Sequence, residues 1–167
     1  MLEKRHATLL RSLVAISLIA ACSRSQPEKK DSVVADTGFG TMQHRGGMAM
    51  GVDQYTSTHM FDVTPDGGRV QLQRDTKDSL GVAQIRAHMK LIQHAFEAGD
   101  FSTPAFVHAR DMPGTAVMTK KRNAIKYEYA DLPSGGEVRV TSSDPEAIAA
   151  IHEFMLAQRM DHRAGGH

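Results

Sequence analysis

The chain has no tryptophan and a single cysteine among its 167 residues, and aromatic residues make up only 5% of it. One cysteine excludes any disulfide within the chain, so covalent cross-links cannot compensate for a thin core. Scarce aromatics leave a core to be built mainly from aliphatic side chains and from the ten methionines. Charge of one sign is also lacking. The formal net charge is +1, which removes the electrostatic argument for nucleic-acid binding. No apolar run is long enough to cross a bilayer as a permanent helix: the best, Leu13 to Ala21, falls well short of the ~20 residues required. HExxH, CxxC and GxSxG are absent, so no specific metal or nucleophile signature is present.

What is present is a repeat. Thr64-Pro65-Asp66-Gly67-Gly68-Arg69-Val70-Gln71-Leu72 returns as Leu132-Pro133-Ser134-Gly135-Gly136-Glu137-Val138-Arg139-Val140, an offset of 68 residues. Each copy follows an alternating run, Met60 to Val63 and Lys126 to Tyr129, and leads into an amphipathic helical pattern. In the helices the offset is 66: Val82 falls on Ile148, Ile85 on Ile151, Met89 on Met155 and Phe96 on His162. Such a pattern predicts an α+β fold made of a duplicated ββα unit. A four- or five-stranded antiparallel sheet would carry two helices packed on one face, related by a pseudo-twofold.

In chain order, strands are expected over 56–63, 69–74, 124–130 and 137–142, with the Pro-x-Gly-Gly stretches as turns. The first helix is read from Val82 to Phe96, closed by Gly99. The second starts at Asp144-Pro145-Glu146, with Asp as N-cap and Pro at the first helical position. It ends near Met160 or His162. Residues 100–114 read as loop, Thr115 to Thr119 as a short extra strand, and 163–167 as a disordered tail.

The N-terminus resembles that of a bacterial lipoprotein. Lys4, Arg5 and Arg11 precede the apolar run, which ends Leu18-Ile19-Ala20-Ala21-Cys22, a lipobox. The resemblance implies a signal peptide over 1–21, cleavage before Cys22, and lipidation of its sulfur and new amino group with palmitate-type chains, a membrane anchor. Ser23 after the cysteine implies an outer-membrane address facing the periplasm in a Gram-negative host. Loss of 1–21 removes three basic side chains and one acidic, from 20 and 19 to 17 and 18. Residues 22–55 read as a flexible Gly/Met-rich tether and 56–162 as the folded domain.

Histidine carries the candidate chemistry. At about 100° per residue, His152, Met155, Arg159 and His162 fall within roughly 80° of one another on the last helix. His88 lies at the stripe edge of the first helix, and His108 lies in the connecting region four residues before Met112. His94 points to solvent. A metal site from His88, His108, His152 and His162, with Met112 and Met155 as further donors, would suit copper or zinc. In the tether, Met42, His44, Met48 and Met50 resemble the Met- and His-bearing segments by which periplasmic copper proteins pass on Cu(I), a flexible metal-capture set.

The folded part also resembles a set of small His-containing bacterial domains without an assigned activity. Ile85-Arg86-Ala87-His88-Met89, Gly99-Asp100-Phe101-Ser102, His108 with Met112-Pro113-Gly114, and Ala150-Ile151-His152 with Asp161-His162 carry that likeness. Chains of this set sometimes bear the label aspartate carbamoyltransferase. The chain is too short for that two-domain enzyme and lacks its Ser-Thr-Arg-Thr motif. The sequence therefore points to an envelope lipoprotein that binds a ligand, a transition metal, rather than to an enzyme. Two other readings stand beside it. One is a small hydrolase or transferase with His88 or His152 as general base. The other is a structural or partner-binding domain, which an apolar exposed sheet face would favour.

Overall fold

The computed structural model describes residues 32–75 and 77–164, with side chains from Gly38 onward; Cys22, the leader over 1–21 and the last three residues lie outside the described residues. In chain order the elements are helix α1 (Ser32–Met50), strands β1 (Ser57–Thr64) and β2 (Gly67–Arg74), helices α2 (Ser79–Glu97), α3 (Ser102–His108) and α4 (Thr115–Lys120), strands β3 (Ile125–Leu132) and β4 (Gly135–Ser142), and helix α5 (Pro145–Asp161). The strands form one antiparallel sheet in the order β1-β2-β4-β3. The fold is α+β. Among the described residues no helix is long and apolar enough to cross a membrane.

The two hairpins meet at the centre of the sheet, where β2 pairs with β4 and Val70 stands opposite Val138. Gly67 pairs with Thr141, and 68 residues on, Gly135 pairs with Gln73. The register thus maps onto itself when the two units are exchanged, which is what a pseudo-twofold through the Val70–Val138 pair requires. The turns themselves are shorter than the sequence suggests. Each is a two-residue link, Pro65-Asp66 and Pro133-Ser134, and the glycines already belong to strands β2 and β4. Their task is close approach. A Cβ on Gly67 would lie 2.1 Å from the Val140 carbonyl oxygen, and one on Gly135 would lie 1.9 Å from that of Leu72.

Alternation sets the two faces of the sheet. Phe61, Val70, Leu72, Tyr127, Val138 and Val140 are buried. The other face carries Arg69, Gln71, Gln73, Lys126, Glu128, Glu137 and Arg139, half-buried or exposed, with Met60, Ala130 and Leu132 as apolar members. Helices α2 and α5 lie on the apolar face, and they exchange partners. Gly136 of β4 faces Met89 of α2, whereas Gly68 of β2 faces Met155 of α5. Each helix therefore covers the hairpin of the other unit. On α2 the expected stripe is the buried one: Ile85, Met89, Ile92 and Phe96. On α5 the stripe is Ala147, Ala150, Ile151, Phe154, Met155, Ala157 and Gln158, with Ile148 only half-buried. The caps form as read: Asp78 and Asp144 accept backbone N–H bonds at the two helix starts, and Gly99 follows α2 at φ 78°.

Three expectations are corrected. Residues 100–114 are not all loop, since Ser102–His108 is α3, with Pro104 in its first turn where a missing N–H costs nothing. Thr115–Lys120 is a helix, α4, and not a strand; Met118 anchors it in the core while Thr115 caps the Met112 carbonyl. Ser32–Met50 is not a tether but α1. Four glycines (38, 40, 46 and 47) weaken this helix by ~1 kcal/mol each relative to alanine, so tertiary contacts must hold it. Met42 is buried, Gly46 lies where a Cβ would meet the Gln54 side chain at 3.0 Å, and Arg45 donates from Nε to the Val107 carbonyl at 2.7 Å. The tail is likewise anchored at its start. Arg163 lies over the Phe39 ring at 4.2 Å, and Ala164 packs against the core.

Candidate functional site

Between α2 and α5, over β1 and β2, a gap remains in the core. Gly46, Ala49 and Met50 of α1 close one side of it, and Thr103, Pro104, Val107 and His108 of α3 close another. The result is an apolar cavity of about 70 Å³. Four histidines line it, each delivered by a different element: His59 by β1, His88 by α2, His108 by the last turn of α3, and His162 as the C-cap of α5. His59 faces inward because it shares strand parity with Phe61. His162 is held by its own N–H bond to the Gln158 carbonyl.

The rings touch. His59 stacks on His162 with centroids 4.7 Å apart, and His108 meets His162 edge-on at 5.1 Å. Phe61 lies against both His59 and His162. Burial among apolar groups disfavours the charged imidazolium. It lowers His88 and His162 to about 4 and holds His59 well below the ordinary histidine value, with the nearby His162 adding to the effect on His59. All three are thus neutral near pH 7. Among the described residues, none of these three rings has a hydrogen-bond partner.

His108 differs. Its Nε2 lies 2.8 Å from Gln158 Oε1, and Asp161 Oδ2 lies 2.8 Å from Nδ1 in an ion-pair contact that falls short of hydrogen-bond geometry. Its pKa is lowered by burial, against the opposing pull of Gln158 and Asp161. Nε2 is thus occupied by Gln158, Nδ1 has the Asp161 carboxylate beside it, and the side chain is 2% exposed.

Of the four histidines expected to converge, His88, His108 and His162 do, and His152 does not. His152 donates from Nε2 to the Thr64 carbonyl at 2.9 Å, at the β1–β2 turn. Its pseudo-twofold mate is Arg86, which donates to the Leu132 and Gly135 carbonyls at the β3–β4 turn. His152 is therefore a turn clasp. Met112 and Met155 are core residues outside the cavity lining. The tether set is divided by α1: Met42 is buried, His44 and Met48 are exposed, and Met50 alone lines the cavity. His59 is the member that sequence reasoning missed. Strand alternation with Phe61, and its place opposite Tyr127 in the repeat, are the signals that point to it.

Among the described residues no three His, Cys, Asp or Glu side chains stand as a set able to hold one metal ion. The chain has no match among family models, curated proteins or solved structures.

Proposed function

We propose that the chain is a lipid-anchored envelope protein whose domain binds a transition metal in the histidine cavity, and that the metal is copper as Cu(I). One observation carries this reading. His59, His88 and His162 face a single apolar cavity as neutral imidazoles without hydrogen-bond partners among the described residues. Neutral rings offer lone pairs without first releasing a proton. The thioethers of Met50 and Met89 line the same cavity, and thioether with imidazole suits soft Cu(I). A closed zinc site uses four donors in a tetrahedron, and no set of three His, Cys, Asp or Glu is assembled among the described residues. The reading therefore requires an ion content with two imidazoles, or one imidazole and a thioether. Because His59 and His162 stack, loading requires one ring to turn so that its nitrogen faces the other.

Catalysis is less well supported. Of the histidines that line the cavity, the one in an ion-pair contact with a carboxylate is His108, and Gln158 occupies its other nitrogen. The outer sheet face is mainly charged and polar, with Met60, Ala130 and Leu132 scattered on it, and offers a docking role little continuous apolar surface.

The deciding experiment is competition of the full chain against a chromophoric Cu(I) chelator, alongside calorimetric titration with Zn(II). Cu(I) is expected to bind, and His59→Phe or His162→Phe to weaken it at least tenfold, with His152→Gln unchanged. Cu(I) affinity equal to that of a chain with His59, His88 and His162 all replaced would overturn the proposal.

A further inference from the structure

A second hollow, of about 330 Å³, lies on the other side of His108. Its lining contains three guanidinium groups, Arg45, Arg110 and Arg163, against one carboxylate, Asp161. The three arginines come from α1, from the segment after α3 and from the end of α5. Each is fixed by one contact and keeps donors to spare. Arg45 uses Nε on the Val107 carbonyl, Arg110 uses Nη2 on Asp161 at 2.6 Å, and Arg163 holds its guanidinium over the Phe39 ring. An arginine has five N–H donors, and the others of these three have no acceptor among the described residues. Arg163 is also one of two non-glycine residues at positive φ among the described residues, 51°, a conformation that needs support from its surroundings. Among the described residues, one carboxylate stands against three cations held around one hollow.

We propose that this hollow binds a small oxyanion, a phosphate or a carboxylate, in the shared field of Arg45, Arg110 and Arg163. Guanidinium forks match the paired oxygens of these anions. The site is separate from the histidine cavity and does not depend on metal binding. Phosphate chemistry could reach it as a free ion or as a lipid headgroup, and soluble probes separate the two.

The test is calorimetric titration of the full chain at fixed ionic strength, with chloride as reference. The probes are inorganic phosphate, acetate, and glycerophosphoglycerol as a soluble headgroup. At least one is expected to bind saturably, and Arg163→Gln to weaken it at least tenfold, with Arg163→Lys in between. Arg69→Gln on the outer sheet face should bind as the parent does. Preference for phosphate or acetate assigns a free anion, and preference for glycerophosphoglycerol assigns a headgroup. Should Arg163→Gln melt well below the parent, Arg110→Lys, which keeps a cation beside Asp161, must weaken the same probe. No saturable response to any probe beyond chloride overturns the proposal, as does parental affinity in the folded arginine variants.

Discussion

The two halves of the domain place different chemistry on the same frame. The pseudo-twofold that pairs Val70 with Val138 also sets Phe96 against His162 and Tyr127 against His59. In one half, Phe96 contacts Phe101, Tyr127 and Phe154 with centroids 4.5 to 6.1 Å apart, an all-aromatic cluster whose Phe96 and Phe154 form an apolar wall of the cavity. In the other half, His162 contacts His59, Phe61 and His108 at 4.7 to 5.3 Å, and a cavity remains beside it. Helix α3 serves both clusters, with Phe101 at its start and His108 at its end. Duplication supplies the scaffold twice; only one copy keeps its aromatic pair, and the other carries imidazoles at those positions. Apolar packing would be the cheaper filling for both, so the exchange needs a reason beyond stability.

The frame itself can be broken most severely at its centre. Gly67→Ala and Gly135→Ala each push a Cβ into a backbone carbonyl of the neighbouring strand. Neither strand can yield without opening the β2–β4 ladder, so each should cost more than about 4 kcal/mol in urea unfolding, in the exceptional range for single substitutions. Equal costs support equivalent halves. A mild effect at one site and a severe one at the other would show that the symmetry ends at the register.

Exchanging the aromatic and imidazole positions tests the contrast next. Phe96→His puts a polar ring among buried apolar groups, losing buried carbon and leaving nitrogens without partners, and should cost about 3 kcal/mol. His162→Phe should leave stability unchanged or raise it by up to ~1 kcal/mol, since it replaces a desolvated imidazole with carbon. Destabilisation by both exchanges to a similar degree would mean that His162 is simply packed to fit.

Most of the frame was legible because each element announces itself locally. Asp144-Pro145 caps a helix, Ile85, Met89, Ile92 and Phe96 form one stripe, and the repeated Pro-x-Gly-Gly marks two hairpins. Helix α1 was hidden because its glycines argue against a helix and its contacts are all tertiary: Met42 to the core, Arg45 to α3, Gly46 to Gln54. Helices α3 and α4 are seven and six residues long, too short for a period to show. At the site, helical phase found His88, at a stripe edge, and His162, the mate of Phe96 in the stripe of the last helix. It misassigned His152, because phase gives a direction from the helix axis and not the neighbour met there. His59 was missed since one histidine in a strand has no period of its own, and only its strand parity with Phe61 places it.

Acid should weaken one half and spare the other. His88 and His162 titrate near 4 in the folded chain and near 6.5 when unfolded. Between those values the unfolded chain binds more protons, so this contribution to stability is complete above about pH 6.5 and is lost as pH falls toward 4. Each residue should cost about 1.4 kcal/mol on going from about pH 7.5 to about pH 5.5. His59, lowered by burial and by His162, adds in the same direction. His162→Phe should flatten the slope of urea midpoint against pH by roughly one histidine's share. An unchanged slope would place the acid response outside the cavity.

The smallest effect concerns the turn clasps, which separate a structural histidine from the candidate donors. Arg86 holds the β3–β4 turn through two carbonyls, whereas His152 holds the β1–β2 turn through one. Loss of one hydrogen bond to a half-buried carbonyl costs about 1 kcal/mol, so His152→Ala should lower stability by that amount, and Arg86→Ala by somewhat more. Neither change reaches the cavity, since neither side chain lines it. Cu(I) affinity should therefore stay at the parent value in both variants, while His162→Phe, with its stability intact, loses it. Weaker Cu(I) binding by His152→Ala would mean that the β1–β2 turn positions His59 for its ligand, and would join the clasp to the site.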